Sequence, residues 1–303
     1  MQYQEHNEKP KVGVVLVNYN GYQDTIECVE SLQKVTYPNL DIWVVDNAST
    51  NDSLIHLRQQ ANHENVSIVA SPANDGFSAG NNIGIKAALE QGAEFVLVLN
   101  NDTIVEPDFI EPLLDTFSDH DDAGCVISKI LYQSEPNKLW YGGGTFNPWF
   151  CRADHIGFNE TDTANKSVQE VAFASGCCMM LTKQAIEESG LMDEDYFLYV
   201  EDTEYSLRLA KAGFKLFYNP NSAIYHKVSA TTQSGSDLSQ YYTIRNTLYL
   251  GKTYLSRMQR FSAMLYKWVF YTHKVVTKQY RIKNIFAAEL DYMMGNMGRS
   301  SRF

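Results

Sequence analysis

Residues 95–103 read Phe-Val-Leu-Val-Leu-Asn-Asn-Asp-Thr: five apolar residues followed directly by four short polar ones. A short apolar run bounded by turn-forming residues is the mark of a strand buried on both faces. The same pattern recurs upstream, in residues 11–21 (KVGVVLVNYNG), 40–49 (LDIWVVDNAS) and 66–70 (VSIVA). Between these runs lie stretches with helical spacing. Residues 22–35 place Ile26, Val29 and Leu32 on one stripe, residues 53–62 form a polar helix, and residues 79–91 form another. Pro107 sits where a first helical turn tolerates proline, opening a helix to residue 117. Strands alternating with helices of this length predict an α/β fold with a mostly parallel sheet covered on both faces.

Past residue 118 the alternation breaks. Residues 125–130 and 168–182 read as strands, separated by an irregular aromatic stretch over 139–165. Residues 185–188 form a short helix, and 201–212 a better one ended by Gly213. Residues 215–218 and 223–226 read as two short strands, and from Asp237 the chain is mostly helical. The expected organisation is a catalytic domain over 1–236, divided into halves at 11–118 and 119–236, and a helical region over 237–303.

The 303 residues are 44% hydrophobic, enough for one large core with an appendage. The opening ten residues are polar, so no signal segment is read there, and no run approaches the length of a spanning helix. The five cysteines are odd in number and lack CxxC spacing, which fits buried thiols rather than disulfides or a zinc site. These features predict a cytoplasmic protein. A net charge of −11 argues against nucleic acid as a partner. The charge is uneven, with ten Lys or Arg against two acids between Lys252 and Phe303.

In open α/β sheets ligands bind beyond the carboxyl ends of the strands. The four exits are Asn18-Tyr19-Asn20-Gly21, Asp46-Asn47-Ala48-Ser49, Asn74 to Asn82, and Asn100-Asn101-Asp102-Thr103. Any one of them is explained by turn formation alone. Four on one edge describe a crevice lined with hydrogen-bonding groups. A dinucleotide fold wants GxGxxG after the first strand, which is absent, and Gly76, Gly80 and Gly84 are spaced by four. No GxxxxGK[ST] loop is present either. Without a glycine cradle a diphosphate needs a cation, and Asp102 is the natural hard-oxygen ligand for Mg²⁺ or Mn²⁺.

The ordered set VVLVNYNG, VVDNASTNDS, NDGFSAGNNIGI, VLVLNNDTIVEPDFI, FASGCCMML, GLMDEDYFLYVEDTEYSLRLAKAGFKL, AIYHKVSATT and YYTIRN spans about residues 11–250. It resembles the family 2 glycosyltransferases of GT-A fold, in particular their bacterial rhamnosyltransferase-like branch. The resemblance implies roles position by position. Asp46 would meet the base of a nucleotide, with Asn18 and Asn20 nearby. Asn74, Gly76 and Asn81 would flank the nucleotide. Asn100-Asn101-Asp102 takes the DxD position with Asn100 in place of the first acid, and His226 would be a further metal ligand. Asp202, with Glu201 before it, matches the ED motif and would be the general base of an inverting transfer. Arg245 would approach the diphosphate.

The implied activity is transfer of rhamnose or a hexose from a dTDP- or UDP-sugar to a saccharide or lipid-linked acceptor. The setting would be cell-envelope polysaccharide assembly, on the cytoplasmic side of a membrane. Two alternatives compete: an inactive sugar-nucleotide-binding or scaffold protein, suggested by Asn100, and a sugar-nucleotide pyrophosphorylase, which would want a basic glycine-rich loop after the first strand. In the tail, Arg260, Lys267, Lys274 and Arg281 recur every seven residues, with Phe261, Met264, Leu265, Trp268 and Val275 between them. This stripe predicts either a helix lying on an anionic membrane surface, or one packing its apolar side on the body or on a second subunit while its cations face water.

Overall fold

The computed structural model describes residues 9–163, 167–228 and 235–302. The end of the AIYHKVSATT motif, residues 229–232, lies outside them. Strands β1 (Val12–Asn18), β2 (Leu40–Asp46), β3 (Val66–Ala70) and β4 (Phe95–Asn100) pair in parallel in the order β3-β2-β1-β4. Their register sets Asn18 beside Asp46 and Val17 beside Asn100, so the polar exits leave the sheet on one edge. Helices α1 (Tyr22–Leu32), α2 (Ser53–Gln60), α3 (Phe77–Glu90) and α4 (Ile110–Asp119) cover the faces. The last begins three residues later than expected, because Pro107 to Phe109 form a turn whose Pro107 carbonyl accepts from Thr36.

The four-residue glycine spacing has a packing cause. A Cβ on Gly84 would lie 2.3 Å from Val15 Cγ1, and one on Gly80 would lie 2.9 Å from Val17 Cγ1. Positions one turn apart share a helix face, so the two glycines let α3 lie directly on β1. Each fully buried Val or Leu of β1, β2 and β4 adds about 1.5–3 kcal/mol to this core.

The second half extends the sheet from β4 and adds a separate two-stranded hairpin, β8–β9. The strands are β5 (Thr103–Val105), β6 (Ala123–Tyr132), β7 (Leu139–Tyr141), β8 (Gly144–Asn147), β9 (Arg152–His155), β10 (Gln169–Val171), β11 (Cys178–Thr182) and β12 (Lys215–His226). The order continues β4-β11-β6-β12-β10, with β11 antiparallel to both neighbours and β12 parallel to β6. The expected single strand over 168–182 is thus two, interrupted by residues 172–177. The two strands expected at 215–226 are one, with a register shift between Asn219 and Ala223. Pro220 cannot donate to a ladder there. The Asn219 amide turns aside to donate to Pro112 O at 2.7 Å and Thr116 Oγ1 at 2.9 Å. All five cysteines are buried and free.

Helices α5 (Lys183–Ser189) and α6 (Glu201–Lys211) precede β12. Then follow α7 (Asp237–Tyr254), α8 (Arg257–Val276) and α9 (Ile282–Met294). Ser256 and Gln259 form a capping box that starts α8. Phe197, Tyr241, Tyr242, Tyr271 and Ala288 make a second small core, joining these helices to the loop before α6.

The orientation of α8 turns the apolar stripe of the tail away from the body of this chain. Phe261, Met264, Leu265 and Trp268 are 51–70% exposed. The inward side instead carries Ala263 and Tyr271, with Lys267 and Lys274 lining an interior cavity. Among the described residues no helix is long and apolar enough to cross a membrane.

Candidate active site

The first exits knit into one hydrogen-bonded edge. Asp46 Oδ1 accepts from Asn18 Nδ2 at 2.7 Å and from Ser49 Oγ at 2.6 Å. Asn20 adopts a left-handed backbone (φ 60), and its Oδ1 accepts from the amides of Thr50 and Asn51. The Asn47 amide donates to Asn74 Oδ1 and Gly76 O. Gly76 has φ +100, and a Cβ there would lie 2.1 Å from Phe197 O. Only glycine fits this crossing, where the Phe77 amide donates to Phe197 O at 2.8 Å. Asn81 is buried in α3, donating to Phe77 O, while its Oδ1 has no partner.

At the tip of β4, Asn101 donates to Thr25 Oγ1 at 2.8 Å, so it braces the start of α1. Asp102 begins the turn into β5. That three-residue strand, missed in the sequence because it is too short to show alternation, pairs Thr103 with His226. The pairing brings His226 Nε2 within 3.1 Å of Asp102 Oδ1, with Asp102 9% and His226 7% exposed. Lys227 N donates to Asp102 O, and Lys227 Nζ is paired with Asp24 and Glu27 of α1.

The acids of α6 are presented by a strained elbow. Tyr199 (φ 68) and Val200 (φ 74) are consecutive left-handed residues without glycine, costing about 1–2 kcal/mol each. Asn246 of α7 holds the elbow, its Nδ2 donating to Leu198 O at 3.0 Å and Tyr199 O at 2.8 Å. Asp202 Oδ2 accepts from Gly176 N at 3.1 Å, and its Oδ1 accepts from Thr203 N at 2.7 Å. Burial raises the Asp202 pKa, opposed by these amides and by His155. Burial and the neighbouring Asp202 charge push Glu201 well above the usual carboxyl range, and its Oε2 is buried without a partner. Two adjacent carboxyls in unlike surroundings separate in basicity: both are raised by burial, Glu201 the further, while two backbone amides oppose the shift of Asp202.

Asp102 and Asp202 lie on the same edge, joined through residues 176–177. Asn100 N donates to Cys177 O at 2.9 Å, and Gly176 N donates to Asp202. Both carboxylates help raise the pKa of the buried Cys177 thiol.

Two residues differ from expectation. Arg245 does not reach this edge. It is 0% exposed, held over the rings of Tyr241 and Tyr242 and donating to Asn246 Oδ1. A histidine that spacing left unremarked does reach it. His155 Nδ1 lies 2.9 Å from Trp140 O, and the Trp140 ring meets both His155 and His226 edge-on. Burial depresses the His155 pKa, while Asp202 opposes the shift. No periodic signal marks residue 155, because β9 is four residues long.

The donor set for a cation is one carboxylate and one imidazole already side by side, and His226 Nδ1 is buried without a partner. Among the described residues no group of three metal-capable side chains exists. Asp102 and His226 therefore fit a divalent ion that takes its other ligands from a diphosphate and water.

The chain is similar to several known glycosyltransferases. The chain is 25% identical over 300 residues to a dTDP-rhamnosyl transferase, RfbF, of Shigella flexneri, covering 94% of this chain and 96% of that one. It is 27% identical to an N-acetylglucosaminyl-diphospho-decaprenol L-rhamnosyltransferase of Mycobacterium tuberculosis, over 72% of this chain and 76% of that one. Among solved structures it resembles GalNAc-T7 with UDP, GalNAc and Mn²⁺ (TM-score 0.64, 19% identity, 85% of this chain and 50% of that one). It also resembles the mannosyltransferase PcManGT of Pyrobaculum calidifontis with GDP-Man and Mn²⁺ (TM-score 0.60, 13% identity, 94% and 88%). The fold is GT-A. Residues 13–190 match Glycosyl transferase family 2, and the chain belongs to that family and is a glycosyltransferase.

Proposed function

We propose that the protein is an inverting, metal-dependent transferase that moves rhamnose or a hexose from a dTDP- or UDP-sugar to a saccharide or lipid-linked acceptor in cell-envelope polysaccharide assembly. The observation that carries this reading is the short path between Asp102 and Asp202 through residues 176–177. In this reading the diphosphate side and the base face each other across that path.

In this reading Asp202 takes the proton of the acceptor hydroxyl. The acceptor oxygen bonds to the anomeric carbon from the back face. The bond from that carbon to the phosphate oxygen breaks, its electron pair leaving with the nucleoside diphosphate. Asp102 and His226 would hold Mn²⁺ or Mg²⁺, which when bound offsets charge on the departing diphosphate. Asp46, Asn18 and Asn20 would frame the base and ribose. Asn74, Gly76, Asn81, Asn100 and Asn101 would shape the wall of the donor crevice. Glu201, carrying its proton, would act as a hydrogen-bond donor beside the base. Arg245 is read as a structural residue of the C-terminal helices. The dTDP-rhamnose preference rests on the name of the Shigella relative, and the lipid-linked acceptor on that of the mycobacterial one.

We also read residues 1–236 as the catalytic domain and 237–303 as an appended helical region at the inner face of a membrane. Its outward stripe, Phe261, Trp268, Phe286 and Met293, would rest on that anionic surface. Liposome flotation tests this, and a dimeric mass without flotation would assign the stripe to a second copy.

The central test is a nucleotide-sugar panel with Mn²⁺, scored by binding and by transfer. Asp202→Asn should keep donor binding and lose about 10²–10⁴ in transfer rate. Equal loss of binding and transfer would make Asp202 a donor contact instead.

A further inference from the structure

A cavity of about 560 Å³ opens between the β8–β9 hairpin, the elbow before α6, and the inward sides of α7 and α8. This size lies inside the range of about 300–1,000 Å³ that small-molecule sites occupy. Its wall includes Tyr199, Val200, Thr203 and His155, of which Thr203 and His155 also act on Asp202. The same wall carries Lys267, Lys274, Arg152, Tyr266 and Phe270.

The cations of this wall outnumber the acids paired with them. Arg152 is neutralised, because its guanidinium pairs with Asp154 at 2.5 Å. Lys274 donates to the neutral Gln279 and sits 5.4 Å over the Phe270 ring. Lys267 makes no hydrogen bond or ion pair with any described residue, and burial lowers its pKa. The nearest acid acting on Lys267 is Asp154, which is already engaged by Arg152, so the partly buried ammonium has no acid in direct contact. The tyrosine hydroxyl of residue 199 is buried with no partner. A wall with an unmet hydroxyl, two lysines without a direct acid partner and flat aromatic faces matches a saccharide bearing a group of about two negative charges.

We propose that this cavity is the acceptor subsite, and that Lys267, with Lys274, holds a phosphate or diphosphate on the acceptor saccharide. The assignment deepens the glycosyltransferase reading and rests on it for the identity of the ligand. The saccharide lies against Tyr266 and Phe270, with its nucleophilic hydroxyl toward Thr203 and Asp202. The shared chemistry is the phosphate, whether on a soluble glycosyl phosphate or beneath a polyprenyl chain.

The test uses the full chain. Inorganic pyrophosphate is titrated by calorimetry in EDTA, which silences a metal-dependent donor site. Lys267→Gln and Lys267→Met should each weaken binding roughly 10- to 100-fold, the loss of a charge-assisted contact. Asp102→Ala should bind as wild type. Thermal unfolding of both Lys267 variants at or above the wild-type midpoint shows that they fold. Unchanged pyrophosphate affinity in both variants, or loss with Asp102→Ala, overturns the subsite.

In transfer assays Lys267→Gln should raise the KM for a phosphorylated acceptor about tenfold with little change in kcat. The KM for the matching methyl glycoside should not move. One arm uses a soluble glycosyl phosphate and another a polyprenyl-diphosphate saccharide in phosphatidylcholine vesicles. Lys267 dependence in the soluble arm assigns recognition to the phosphate itself, and dependence in the vesicle arm alone assigns it to the lipid-linked form. Dependence in neither overturns the proposal. A wild-type protein that binds pyrophosphate through Lys267 but no nucleotide sugar would keep the subsite and end the glycosyltransferase reading.

Discussion

The donor edge and the acceptor-side cavity are built by opposite means. At the donor edge the strand tips are tied to one another, Asn18 to Asp46, Asn47 to Asn74 and Asn101 to Thr25, while Asn81 Oδ1 and His226 Nδ1 are left without partners. The cavity has polar groups that are buried or desolvated without partners, Tyr199 and Lys267 among them. The first region is largely organised by its own hydrogen bonds. The second holds unmet demand, so its ligand supplies partners that the protein lacks.

The comparison can be broken from several directions. The largest effect is expected at the metal pair. Asp102→Ala should cost about 10²–10³ in kcat/KM and remove the dependence of donor affinity on Mn²⁺. Calorimetry that finds the same Mn²⁺ dependence in the variant would show that the pair is only a structural contact. Next is Gly76→Ala, which forces a Cβ against Phe197 O at positive φ. A loss of about 2–4 kcal/mol in urea unfolding is expected, and an unshifted midpoint would deny that the donor wall is rigid. Asn246→Ala releases the elbow of Tyr199 and Val200. It should lower kcat about tenfold with smaller change in donor KM, whereas a change confined to donor KM would place Asn246 on the wrong region.

The smallest effect concerns Glu201. Its folded pKa stands above its ordinary 4.5, so the fold favours the protonated form. The stabilisation is complete below that unfolded value and disappears as pH rises through the raised one. Glu201→Gln cannot ionise, so across this window its melting temperature should fall less than that of wild type. Parallel curves would mean that Glu201 is solvated.

Much of the donor edge was legible because each strand there is a long apolar run, and its exit follows in the next residue. Asp46 and Asp102 could be placed at strand ends from that adjacency alone. The acceptor side was harder to read for stated reasons. The three-residue strand β5, the four-residue β9 and the loop over 172–177 are too short to carry a period, so His155 and the Gly176 amide gave no signal. Arg245 and Asn246 are adjacent in one motif, and only the fold distinguishes the buried guanidinium from the amide that holds the elbow. On α8 the seven-residue basic repeat was visible, but which face turned inward depends on α7 and the hairpin, which are remote in sequence.

The peptide of residues 176–177 has a consequence for how such an enzyme can change. It works as a caliper: one jaw rests on the main chain of β4, the other on the Asp202 carboxylate, the proposed proton acceptor. The body of the caliper is main chain, which substitutions of side chains in the cavity leave alone. New acceptors can therefore be tried by altering Tyr266, Lys267 or Phe270 without resetting the gap across which the bond is made.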